Sequence, residues 1–90
     1  IFQEQSNGID LVLFTPLRFG IGYGLPVDEF PFLPKNSRVC FWGGWGGSLI
    51  INDVDNNLTI SYMMNRMLTS IMGDERGAAV IDATYKAFEQ

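Results

Sequence analysis

The sequence predicts an α+β fold, an antiparallel β-sheet with a C-terminal helix packed on one face. Two observations carry that prediction. Residues 37–45, 47–52 and 58–64 read as strands, the last two separated by the turn-forming run Asp53-Val54-Asp55-Asn56-Asn57. Residues 74–89 then change to a spacing of three and four between apolar positions, which is the period of a helix.

Taken in order, residues 1–8 are polar and read as a loop or the end of a helix. Residues 9–14 fit a short strand or a helical turn equally well, and Pro16 closes them. Residues 17–25 alternate larger side chains with Gly20, Gly22 and Gly24, which predicts a strand with one face stripped for close approach. The same glycines have the wrong spacing for a nucleotide-binding loop, and Pro26 follows them where such a loop needs a helix. Residues 26–36 hold Pro26, Pro31 and Pro34 and form a stiff connection, with Phe30, Phe32 and Leu33 placed to tuck over a site or against further protein.

Alternation along 37–45 puts Arg38, Cys40, Trp42 and Gly44 on one face and Val39, Phe41, Gly43 and Trp45 on the other. On the return strand Leu58, Ile60, Tyr62 and Met64 share a face. Asp74 is placed to cap the final helix, with Glu75 favourable in its first turn. Ala78, Ile81, Tyr85 and Phe88 form the apolar stripe that meets the sheet.

Composition narrows the function classes. The 90 residues are 47% hydrophobic and only 18% charged, below the roughly 25% of an average soluble domain, so the chain reads as part of a larger core. It begins with Ile and shows no secretory leader pattern, which predicts the last part of a longer protein. A net charge of −4 without a basic run argues against nucleic acid and anionic membrane surfaces as partners. No apolar run approaches the roughly 20 residues that span a bilayer. The single Cys40 slightly favours a reducing, cytoplasmic compartment, and the absence of histidine excludes a His-based triad or zinc site built from these residues alone.

Most motif-like features have plain structural readings. Asp53-x-Asp55-x-Asn57 imitates the start of a calcium loop, but Leu58 stands where that loop needs glycine and Met64 where it needs glutamate, so a hairpin turn is expected. Asn57-Leu58-Thr59 is a glycosylation sequon, meaningful only in a secreted protein. Tyr62 and Tyr85 lie on apolar stripes and read as core, Arg66 reads as a solvated charge, and Met63, Met64, Met67 and Met72 read as gap-filling. No metal ligand set or cofactor motif stands out.

One stretch does not fit core filling. Cys40-Phe41-Trp42-Gly43-Gly44-Trp45-Gly46-Gly47-Ser48 holds two tryptophans and four glycines in nine residues. Four glycines weaken a strand and expose its backbone, which suits a strand edge or end that faces a ligand. Trp42-Gly43-Gly44, then Trp45, then Gly46-Gly47-Ser48-Leu49, with Asn65-Arg66-Met67 after the next strand and Arg18-Phe19-Gly20-Ile21-Gly22-Tyr23-Gly24 upstream, resemble the class C β-lactamase-like serine hydrolases. That superfamily includes penicillin-binding DD-peptidases, family VIII carboxylesterases and fungal transesterases. The resemblance covers about residues 15–90 and implies the C-terminal portion of a single β-lactamase/transpeptidase-like domain, incomplete by itself.

The resemblance implies a role for each matched position. The Trp45 backbone N–H would be one donor of an oxyanion hole, Trp42 would shape the acyl or leaving-group pocket, and Gly43 and Gly44 would give access. Trp42 stands where true β-lactamases carry a lysine, so an apolar surface replaces a cationic hold on a substrate carboxylate. That shift implies ester or acyl-transfer chemistry on small neutral acyl compounds through an acyl-serine intermediate. The family nucleophile comes from a Ser-x-x-Lys motif. Here Ser6, Ser37, Ser48, Ser61 and Ser70 have Ile9, Cys40, Ile51, Met64 and Gly73 three positions on. The rest of the same protein, or a companion chain, would therefore supply the serine. The alternatives are a biosynthetic acyltransferase or transesterase, and a non-catalytic binding module that keeps the fold.

Overall fold

A computed structural model describes residues 1–27, 33–34, 37–70 and 73–88. Six strands form one antiparallel sheet in chain order: β1 (Ser6–Ile9), β2 (Pro16–Phe19), β3 (Gly24–Leu25), β4 (Val39–Gly43), β5 (Leu49–Asp53) and β6 (Leu58–Tyr62). One helix, α1 (Glu75–Phe88), follows. The α+β class with its terminal helix is as the sequence predicts.

The core forms between the sheet and α1, because alternation sends one set of side chains toward the helix. Val39 and Phe41 of β4, Leu49 and Ile51 of β5, and Ile60 of β6 are buried there with Leu17, Leu33 and Ile81. The β4–β5 and β5–β6 registers place Phe41 opposite Ile51 and Ile51 opposite Ile60, so one apolar row crosses three strands. Ile81 is fully buried and Tyr85 packs at the margin, whereas Phe88 at the end of the predicted stripe is 51% exposed. Leu33, read in the sequence as covering a site or meeting further protein, is buried instead in this chain's own core. Phe30 and Phe32 lie outside the described residues.

The strands read over 47–52 and 58–64 are 49–53 and 58–62, and three larger differences separate the structure from the sequence reading. Residues 6–9 form a strand, although all four are exposed and polar residues precede Ile9. Pairing with β2 makes it a strand, which local composition could not reveal. The following turn is held by Asp10, whose Oδ2 accepts the Val12 and Leu13 N–H groups at 3.0 and 2.7 Å.

The predicted single strand over 17–25 is two strands and a turn. Gly20 N–H donates to the Tyr23 carbonyl at 3.0 Å and Gly22 has a φ of +80°, a conformation that interrupts any strand. The strand predicted over 37–45 stops at Gly43, and residues 44–48 form a hairpin loop. Gly46 and Gly47, with φ of +102° and +121°, cannot continue a ladder.

The β5–β6 turn falls where the sequence placed it, with Asn57 at a φ of +52°. Its carboxylates are engaged within the fold. Asp55 accepts from the Arg38 backbone N–H and Nε at 2.6 and 2.9 Å. Asp53, 1% exposed, accepts from Asn56 N–H and Nδ2 and from the Tyr85 hydroxyl at 2.7 Å. Asp74 caps α1 as predicted: its carbonyl accepts from Ala78 N–H, and its Oδ1 accepts from Arg76 N–H at 2.9 Å.

Candidate functional site

The hairpin between β4 and β5 presents all four residues singled out in the sequence. Trp42 and Gly43 end β4, and Gly44 and Trp45 open the loop. Trp42 is half-buried, its ring 5.3 Å from that of Phe19 and tilted by 44°. Gly24 makes room for this pair: a Cβ there would stand 3.2 Å from Trp42 Cε3 and 3.1 Å from the Phe41 carbonyl oxygen. That gives the third glycine of 20–24 a packing reason.

An open hollow of about 210 Å³ lies against Trp42, Gly43, Gly44, Ser48, Ile50 and Ser61. Trp42, Gly43 and Gly44 are therefore brought to one concave surface. The Trp45 indole is not part of it; that side chain is 66% exposed at the hairpin tip. The Trp45 backbone follows Gly44 directly, just outside the residues that line the hollow.

The direction of that backbone follows from the loop's hydrogen bonds. Gly44 N–H donates to the Ser48 carbonyl at 3.0 Å, and the Gly44 carbonyl accepts from Gly47 N–H at 3.4 Å. The Gly44 N–H thus faces the returning arm of the hairpin, and its carbonyl points into the turn at Gly47. The peptide that joins Gly44 to Trp45 is trans, so its N–H points opposite to its carbonyl. The Trp45 N–H accordingly points away from the interior of the turn. Strand β3 is only two residues long and pairs with β4 at the single position Gly24–Phe41. Among the described residues no strand pairs with β4 beyond Phe41 on that edge, and no acceptor meets the Trp45 N–H.

The rear of the loop is tied down by residues that the sequence reading did not assign to the site. Gly46 N–H donates to the Ser70 carbonyl at 2.8 Å, and the Gly46 carbonyl accepts from Leu68 N–H at 2.9 Å and from Arg76 Nη2 at 3.2 Å. A Cβ on Gly46 would stand 2.8 Å from Met67 Cε, and one on Gly47 would run into the Asp74 carboxylate and lie 3.0 Å from Arg76 Nη2. These two glycines are needed for support from behind. Substrate access was the sequence argument for glycine here, yet a Cβ on Gly44 would also stand 2.5 Å from Ser48 Oγ, so packing inside the hairpin accounts for Gly44 as well. Arg76 and Asp74 form an ion pair at 2.7 Å, with Asp74 nearly enclosed. The Arg76 hydrogen bond holds the Asp74 carboxyl below the ordinary carboxylate range, against the opposing effect of burial. No local signal in the sequence could link Arg76 to Gly46, thirty positions away.

Two hydroxyls, of Ser48 and Ser61, face the hollow. Neither is hydrogen-bonded to an acid or base among the described residues, and neither lies in a Ser-x-x-Lys sequence. Without a base to take its proton, a serine hydroxyl is a poor nucleophile. The hollow offers a wall with Trp42 on it and, among the described residues, no activated nucleophile.

No protein-family model matches this chain, and no curated protein does. Solved structures do. A crystal structure of a family VIII carboxylesterase superposes over 94% of this chain with a TM-score of 0.83 and 33% sequence identity. A penicillin-binding protein homolog from Caulobacter crescentus superposes over 96% with a TM-score of 0.85 and 29% identity. The chain spans only 22% and 23% of the length of those two proteins.

Proposed function

For a chain that belongs to the β-lactamase-like serine hydrolase superfamily and forms one segment of its fold, we propose that it is the C-terminal portion of a single catalytic domain acting on esters or related acyl compounds. In this reading the rest of the domain, or a companion chain, brings a Ser-x-x-Lys serine to the open edge of β4. The serine attacks the substrate carbonyl and forms an acyl-serine, which water or another acceptor then cleaves. As the carbonyl becomes tetrahedral its oxygen gains charge. A preorganised N–H about 2.7–3.1 Å away stabilises that charge at no reorganisation cost.

The Trp45 N–H supplies one such donor. The observation that supports this assignment is its direction: it points out of a hydrogen-bonded turn and, among the described residues, meets no acceptor. Gly43 and Gly44 let the acyl group lie along β4 without side chains in the way, and Trp42 forms an apolar wall. An indole has one N–H donor and no positive charge, so the wall favours neutral acyl groups over carboxylate-bearing ones.

The test is turnover of short-chain aryl esters by the complete protein. The expected result is hydrolysis, or transfer when an alcohol or amine acceptor is added, that disappears when the Ser-x-x-Lys serine is changed to alanine. An unaffected rate in that variant would sink the assignment. A complete sequence without Ser-x-x-Lys would replace it with a binding module.

A further inference from the structure

We propose that Arg76 is the positioning residue for the Trp45 N–H, acting through the Gly46 peptide. The idea rests on the reading of that N–H as an oxyanion donor, and it adds the element that keeps the donor aimed.

Three separate pieces of chain meet at the Arg76 guanidinium. Nη2 donates to the Gly46 carbonyl of the hairpin tip at 3.2 Å, and Nη1 donates to the Arg66 carbonyl of the segment after β6 at 2.7 Å. Nε and Nη2 also grip Asp74, at 3.2 and 2.7 Å, at the start of α1. A planar guanidinium presents its donors in a fixed fork, so holding two of these partners fixes the direction of the third. The fork itself is anchored, because Arg76 sits in the first turn of a capped helix and its partner Asp74 is the cap.

The segment that backs the loop needs this anchor. Residues 65–70 belong to neither strand nor helix, yet they supply Leu68 N–H and the Ser70 carbonyl to Gly46. Arg76 ties that segment and the loop to the same rigid point. The Gly46 peptide limits where the Trp45 Cα can sit from one side, and Gly44 limits it from the other. Without Arg76 the Trp45–Gly46 peptide keeps the Ser70 carbonyl and the Gly46 carbonyl keeps Leu68 N–H, but both partners then sit on a segment that has lost its tie to α1. A lysine at position 76 could keep the charge pair with Asp74 and reach one carbonyl, but it has no second prong. Displacement of a catalytic group by about 1 Å can cost on the order of a hundredfold in rate.

The test uses the complete protein with its tryptophans labelled with 15N, the Trp45 amide being identified by its loss in Trp45→Phe. In Arg76→Met the Trp45 amide resonance is expected to shift or broaden and to exchange faster with solvent, while that of Trp42 stays in place. With an aryl ester, kcat is expected to fall about 10- to 100-fold with KM within about threefold. Arg76→Lys is expected to recover part of both. If Arg76→Met does not fold, Arg76→Lys carries the comparison. A Trp45 amide that is unmoved in the folded variants overturns the proposal, as does a moved amide with an unchanged kcat. A wild-type protein without esterase activity refutes the hydrolase reading instead, and the amide spectrum then decides the positioning claim alone.

Discussion

Replacing Tyr85 with phenylalanine isolates the interaction that docks the far end of α1 on the sheet. The Tyr85 hydroxyl donates to Oδ2 of Asp53 at 2.7 Å, and Asp53 is 1% exposed. Phenylalanine keeps the ring and its packing beside Ile81, so the change removes one hydrogen bond. The carboxylate keeps two donors, Asn56 Nδ2 at 2.8 Å and Asn56 N–H at 3.2 Å. A hydrogen bond to a charged group contributes about 1.5–3 kcal/mol, and the loss leaves a buried oxygen less satisfied, so a destabilisation of about 2 kcal/mol is expected.

Urea unfolding of the complete protein at neutral pH measures this, and pH gives a second, independent signature. Burial, followed by the hydrogen bond to Asp53, raises the Tyr85 pKa above its ordinary value of 10.0. A raised folded-state pKa means that the stabilisation is fully present below pH 10 and is lost as pH rises toward the folded value. The gap between wild type and Tyr85→Phe should therefore be largest at neutral pH and should narrow above pH 10. In an Asp53→Asn background the same substitution should cost at least about 1 kcal/mol less, because the charge that strengthens the bond is gone. A Tyr85→Phe protein within about 0.5 kcal/mol of wild type at neutral pH would refute the reasoning, since surface substitutions alone vary by that much.

Gly46→Ala puts a Cβ against Met67 at a φ of +102°, so it should destabilise by roughly 1–3 kcal/mol and lower ester turnover together, as read by thermal melting and kcat. Gly77→Ala should do the opposite, because its Cβ meets Tyr62 and Leu49 at 3.5 and 3.6 Å, ordinary contact distances. Replacing glycine within a helix should then add up to about 1 kcal/mol in the same melt, and a loss would show that α1 packs more tightly than described. Trp42→Lys should raise kcat/KM for carboxylate-bearing acyl substrates relative to neutral ones. An unchanged ratio would remove Trp42 from substrate recognition.

The sequence alone determined the elements whose signals are local. The strand-like residues of 47–52 and 58–64, the Asp53–Asn57 turn residues, and the Asp74 cap ahead of a three-four apolar stripe each specify structure from neighbouring residues, and each was legible, the strands to within two residues of those observed. So was the Trp42-Gly43-Gly44-Trp45 stretch as the end of a strand. The tertiary structure decided what lies between those signals. Strand β1 exists because β2 pairs with it, and residues 17–25 divide at Gly22 although their alternation imitates one strand. The hairpin tip owes its shape to Met67, Leu68, Ser70, Asp74 and Arg76, which lie about twenty to thirty positions along the chain. Composition can announce four glycines, but the reason for each lies in which atoms arrive behind it. Gly46 and Gly47 answer to a methionine and an ion pair, and the aim of the Trp45 N–H answers to the carbonyl of Gly44. Directions of backbone hydrogen bonds depend on register and on the return of distant chain, and neither is encoded in any local window.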